Sequence, residues 1–224
     1  MSINYALLFL ATLLLWFPRH WLRKGRKAAR GLGLARRSRK REFERIRESG
    51  DNRVNFAEEF RKPRNFIDFF RAMVGGLILI GNQDWGIVSC FGLSDGVLTM
   101  TESTFLFEIQ MAIIAIGVGR QVVRLEGRVT FYAPLFFFAG LAVSLCGFGA
   151  AFFGFLLVWT VNSALPIPPV GFLSVYTMML WLMGLLFQGI SNRYVYAAAI
   201  LFILPVVVSL MARRSLALFT KKFR

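Results

Sequence analysis

VTFYAPLFFFAGLAVSLCGFGAAFFGFLLVWTV, residues 129–161, is 33 residues without a charge. As one helix it would reach about 50 Å, against a hydrocarbon core of about 30 Å. No soluble core needs a helix apolar all round over that length. The run therefore predicts a membrane helix that is tilted, or projects beyond the bilayer, or is bent into two half-length pieces near Gly147 and Gly149. One long tilted or projecting helix is the expectation, because no polar turn interrupts the run.

Working outward, further apolar stretches flank it. They lie at about 66–81, 104–119, 170–188 and 194–211, with a first one at 1–17. The fold class is thus all-α: a polytopic helical membrane protein of about six hydrophobic segments. The 56% hydrophobic content agrees, since soluble domains run at about 45–50% apolar. Residues 1–17 reach only about 25 Å. Phe17-Pro18-Arg19-His20-Trp21 follows in place of a small-x-small cleavage site. The segment is therefore read as an uncleaved anchor, with Trp16 and Trp21 near the interface.

The net charge of +15 is unevenly placed. Arg19–Arg47 holds 13 Lys/Arg against Glu42 and Glu44, a net +11. The tail from Arg213 adds +5, and the short turn Arg120–Arg128 adds +2. By contrast, Asn82–Glu108 carries four acids and no Lys or Arg. The positive-inside rule then makes residues 18–64 a cytoplasmic helical arm and 212–224 a basic tail. Six crossings starting outside would leave that tail outside. Five or seven would not: either the first or the second segment does not cross, or the 33-residue run crosses twice, or the last two spans form a re-entrant pair. Pro63 reads as a break ahead of the second span. In the external loop, Gly86–Phe91 and Val97–Met100 flank a Gly-Leu-Ser-Asp-Gly turn and suggest a small β-hairpin.

The chemistry-bearing residues are few. Small residues Gly140, Ser144, Gly147, Ala151 and Gly154 recur at spacings of 4, 3, 4, 3, which lines one helix face and invites close backbone approach. Packing inside this chain is the favoured use, and contact with another subunit the second. Charges inside spans are costly and mark candidate sites. Asp68 and Arg71 stand i, i+3 and can pair, with Arg71 snorkelling to the cytoplasmic interface. Glu108 lies about one turn inside the third span, at the opposite depth from Arg71. It must find water, Gln110, a partner or a proton. Asp84, Asp95 and Glu102 could join it as an external cation site, but a solvated acidic loop is the simpler reading. Arg23, Lys24, Arg26, Lys27, Arg30, Arg36, Arg37, Arg39, Lys40 and Arg41 form a polybasic segment suited to anionic lipid or an acidic partner. Nucleic acid is the less favoured partner, since no aromatics interleave from Arg23 to Arg41.

One histidine and two cysteines, Cys90 and Cys146, supply neither a metal site nor a disulfide framework. No cofactor is expected. The chain has no P-loop, GxSxG, HExxH, CxxC or dinucleotide fingerprint. The expectation is a non-enzymatic subunit or scaffold of a larger assembly in a plasma membrane, of the bacterial inner-membrane kind, contacting lipid, other subunits or itself. The alternatives are a small ion or proton transporter using Glu108, and a membrane enzyme whose site is shared between chains.

Overall fold

The computed structural model describes residues 2–17, 54–82, 85–92, 100–126, 128–213 and 216. Seven helices lie among the described residues: α1 Tyr5–Trp16, α2 Phe56–Phe60, α3 Pro63–Ile80, α4 Met100–Val122, α5 Leu135–Ala164, α6 Pro169–Gln188 and α7 Arg193–Met211. Among the described residues four elements are long and apolar enough to cross a membrane: Thr101–Val122, Leu135–Ala164, Pro169–Gln188 and Arg193–Met211. α1 is apolar but shorter. α3 carries Arg64, Asp68 and Arg71 and is not among the four.

Local sequence explains most boundaries. Asn4, Asn55 and Asn192 cap α1, α2 and α7, each side chain accepting a backbone N–H of the first turn. Pro63 marks the break between α2 and α3, as its position predicts, and opens α3 at a first-turn position, where a missing N–H costs nothing. Gly81 and Gly189 end α3 and α6 with φ near +80° and ψ of 165°.

Gly147 adopts the same conformation, φ 78° and ψ 162°, in the middle of α5. It acts there as it does at a helix end, and the chain reverses. The rings of Phe136 and Phe155 lie 5.8 Å apart. Nineteen residues along a straight helix would separate them by about 28 Å. The expected single long helix is therefore wrong. Residues 135–146 and 148–164 are two antiparallel legs, and neither alone has the length of the whole run. A glycine that takes positive φ without strain is enough to fold the run, so no polar turn is needed.

Contacts fix the direction of each pass. Leu15 meets Gly75 and Phe17 meets Arg71, so α1 and α3 are antiparallel. Gln110 reaches Leu79 and Gln121 reaches Phe17, so α4 runs with α1. Phe136 packs on Phe66, and Ser144 lies against Gly76, so the first leg of α5 runs parallel to α3. α6 is antiparallel to the second leg, through Trp159–Phe172 at 4.8 Å and Phe153–Phe187 at 5.6 Å. α7 is antiparallel to α6, through Tyr176–Phe202 and Gly184–Val195. One end of the bundle, the upper end, thus holds Gly81, Gly147 and Gly189. The lower end holds Val54, Pro63, Pro134 and Ile167.

Two small sheets sit at these ends. At the upper end β1 (Ser2–Ile3) pairs with β2 (Phe91–Gly92), Ile3 opposite Phe91 and Ser2 opposite Gly92. In the segment where a hairpin is expected, Phe91 takes Ile3 of the N-terminal segment as its partner and Met100 opens α4. Residues 93–99 of that hairpin lie outside the described residues. At the lower end β3 (Val123–Glu126) continues α4 and pairs with β4 (Arg128–Phe131) in a hairpin.

Candidate functional site

The polybasic residues 23–41 lie outside the described residues, but both roots of the arm are visible. The first is Phe17. Pro18 cannot supply an N–H to the preceding turn and drives Phe17 out of helical conformation, to φ −60° and ψ 118°. The last carbonyls of α1 are left without intrahelical donors inside the bundle. Arg71 Nη1 donates to the Phe17 carbonyl. Gln121 Nε2 donates to the same oxygen at 3.1 Å and to that of Leu15 at 3.4 Å.

Arg71 is held for this task. Its Nε lies 2.9 Å from Asp68 Oδ1, and its guanidinium stacks 5.3 Å from the Phe137 ring centroid. Asp68 is 1% exposed and Arg71 7%. The pair forms as the i, i+3 spacing predicts, yet Arg71 does not snorkel. It points inward, because the bare end of α1 offers it an acceptor. Gln121 had no place in the sequence reading. A lone amide near the end of an apolar helix, opposite a Phe-Pro step, was the signal for it.

The second root is Val54. Its N–H donates to Ile167 O at 3.1 Å, and its carbonyl accepts from Asn162 Nδ2 at 2.8 Å. Asn162 also accepts from Ile167 N. Phe56 and Phe60 then pack on Trp159, with centroids 5.2 and 5.5 Å away. Buried Glu59 takes Asn65 and Lys62 as partners.

The small residues are used within the chain. A Cβ on Gly140 would stand 2.1 Å from the Phe69 carbonyl, and one on Gly76 would meet Ser144 Oγ. Gly154 faces the Leu180 backbone, and Ala151 is buried. Gly147 is the reversal itself. The five residues therefore do not line one helix face. The first two serve α3, Gly154 serves α6, and the turn separates them.

Glu108 is exposed on α4. Its neighbour Gln110 is buried and committed, donating to Leu79 O at 3.0 Å and accepting from Tyr194 O–H at 2.8 Å. Leu79 lies near the end of α3 and Tyr194 near the start of α7, so Glu108 stands near the upper end of the bundle. Asp84 and Asp95 lie outside the described residues, and Glu102 is exposed. Among the described residues no group of three or more His, Cys, Asp or Glu could hold a metal ion. The hydroxyls of Thr12, Ser144, Thr160, Ser163, Ser174 and Thr177 each donate to a carbonyl three or four residues back on their own helix. That leaves them poor nucleophile candidates. Cys90 and Cys146 are free and buried. Burial pushes the Cys90 thiol above its ordinary value, so it is a weak nucleophile too.

Compared with protein-family models, with curated proteins and with solved structures, the chain matches none.

Proposed function

We propose that this protein is a non-enzymatic subunit or scaffold of a larger membrane assembly. Its basic arm docks on anionic lipid or on an acidic partner at the cytoplasmic face of a plasma membrane. The observation that carries the reading is the placement of the arm's roots. Phe17 and Val54 are each tied down by side-chain hydrogen bonds in the lower half of the bundle. The Arg120–Arg128 turn and the end of α7 lie toward the same end. The described ends of the cationic segments thus lie toward one end of the bundle, which supports a single cytoplasmic face. With α5 folded at Gly147, α1 and α7 run in the same direction, which supports an outside amino terminus and an inside basic tail, in accord with the positive-inside rule.

The position of Glu108 favours the subunit reading over the transporter. An exposed carboxylate near one end of the bundle lines no path between helices. A shared-site enzyme draws no support from the committed hydroxyls or the buried thiols.

Purification in mild detergent followed by mass measurement tests the proposal. A co-purifying chain or a defined self-assembly is expected, and a lone monomer overturns it. Orientation is read separately. In a Cys90→Ser, Cys146→Ser background, single cysteines placed in the arm and in the tail are expected to label from the same, cytoplasmic side.

A further inference from the structure

We infer that the outer face of α4 holds an anionic phospholipid, with acyl chain along Ala112 and Ile116 and headgroup phosphate at Arg120. This rests on the reading above in one respect only: that the chain spans a bilayer with its lower end cytoplasmic.

Ala112, Ile116 and Arg120 are exposed and spaced by four, so they form one stripe running down α4. Val123, at the start of β3, continues it at 39% exposed, and Ile116 is 49% exposed. The stripe is apolar until it reaches Arg120 in the last helical turn. Residues one turn away on either side are Ile116, Gly117, Val123 and Arg124, so no carboxylate on this helix neutralises it. The guanidinium is not needed to cap the helix end either. The Val122 carbonyl already accepts from Tyr132 N at 2.8 Å.

In sequence, Arg124 and Arg128 follow against the single Glu126, so the Arg120–Arg128 segment carries a net +2. An exposed cation at the end of an apolar stripe, with further cations just beyond it, matches the shape of a phospholipid. The surplus positive charge selects an anionic headgroup over a zwitterionic one, whose ammonium it repels.

The test uses the full chain in nanodiscs of phosphatidylcholine containing a minority of phosphatidylglycerol. After transfer to neutral detergent, the lipid retained is measured by native mass spectrometry. Wild type is expected to retain phosphatidylglycerol over phosphatidylcholine. Arg120→Gln should weaken that retention about fivefold, the effect of one surface cation, and Arg120→Lys should keep most of it. Equal retention by wild type and Arg120→Gln overturns the inference, as does a wild type with no preference between the lipids. A variant with Arg36, Arg37, Arg39, Lys40 and Arg41 changed to Gln separates the two proposals. If it loses phosphatidylglycerol while Arg120→Gln does not, the lipid belongs to the arm, and the α4 site is wrong while the docking arm stands. If retention depends on Arg120 in a protein that purifies as a lone monomer, the α4 site stands and the subunit reading falls.

Discussion

The two legs of α5 are drawn from one continuous apolar run, yet they sit in different surroundings. Every residue from Leu135 to Cys146 is buried. In the second leg Phe148, Phe152, Phe153 and Leu156 are exposed, and only one side is packed. Hydropathy does not separate them, because in a bilayer both the protein interior and the lipid face are apolar. What separates them is how closely their neighbours approach. The first leg lies with its backbone almost against α3 through Gly140 and Ser144, and Arg71 rests on its Phe137 ring. The second leg touches α6 through Gly154 and turns its phenylalanines outward.

That contrast can be attacked directly. The largest effect is expected at the anchor beside the first leg. Arg71→Met removes the buried cation that pairs with Asp68 and donates to the Phe17 carbonyl, and should cost about 3–5 kcal/mol, read as loss of folded protein in detergent. Adding Asp68→Asn should restore much of the loss. If the single variant is as stable as wild type, the pair is not the anchor described. Gly140→Ala comes next. Its new Cβ meets the Phe69 backbone, which cannot rotate away, so about 3 kcal/mol is expected, measured as a drop in thermal midpoint.

Gly147→Ala should cost about 1–2 kcal/mol, since an L side chain is strained at positive φ and Gln188 Nε2 stands 2.5 Å from the new Cβ. A neutral result would mean that the run does not reverse there. Phe152→Leu, on the lipid side, should change stability by less than about 0.5 kcal/mol. A loss comparable to that at Gly140 would show that another chain covers this face. The smallest perturbation is a labelling comparison. A thiol introduced as Phe148→Cys in a Cys90→Ser background should react with a membrane-permeant maleimide while native Cys146, two residues earlier, stays protected.

Several features were legible before the fold was known. Long uncharged runs fix helices, because backbone groups in hydrocarbon must bond within their own segment. The helices at 169–188 and 193–211 fall within a residue of where hydropathy puts them. Spacing alone paired Asp68 with Arg71. Less was legible where chain segments distant in sequence meet. Nothing near Gln121 or Asn162 names Phe17 or Val54 as its partner, and a Phe-Pro step shows only that a carbonyl will need a donor. The lower hairpin at 123–131 was hidden because its apolar half reads as the start of the long run.

The amino-acid sequence by itself determined that most of this chain is built for hydrocarbon and that its cations gather in a few segments. Both follow from composition and order along the chain. Only the tertiary structure decided that the longest run folds in half, that its first leg becomes the buried centre, and that the arm's roots are tied where they are. A glycine permits either a straight or a reversed path. The choice between them depends on whether Gly76, Phe69 and Arg71, more than sixty residues away, can receive the first leg and Leu180 the leg that comes back.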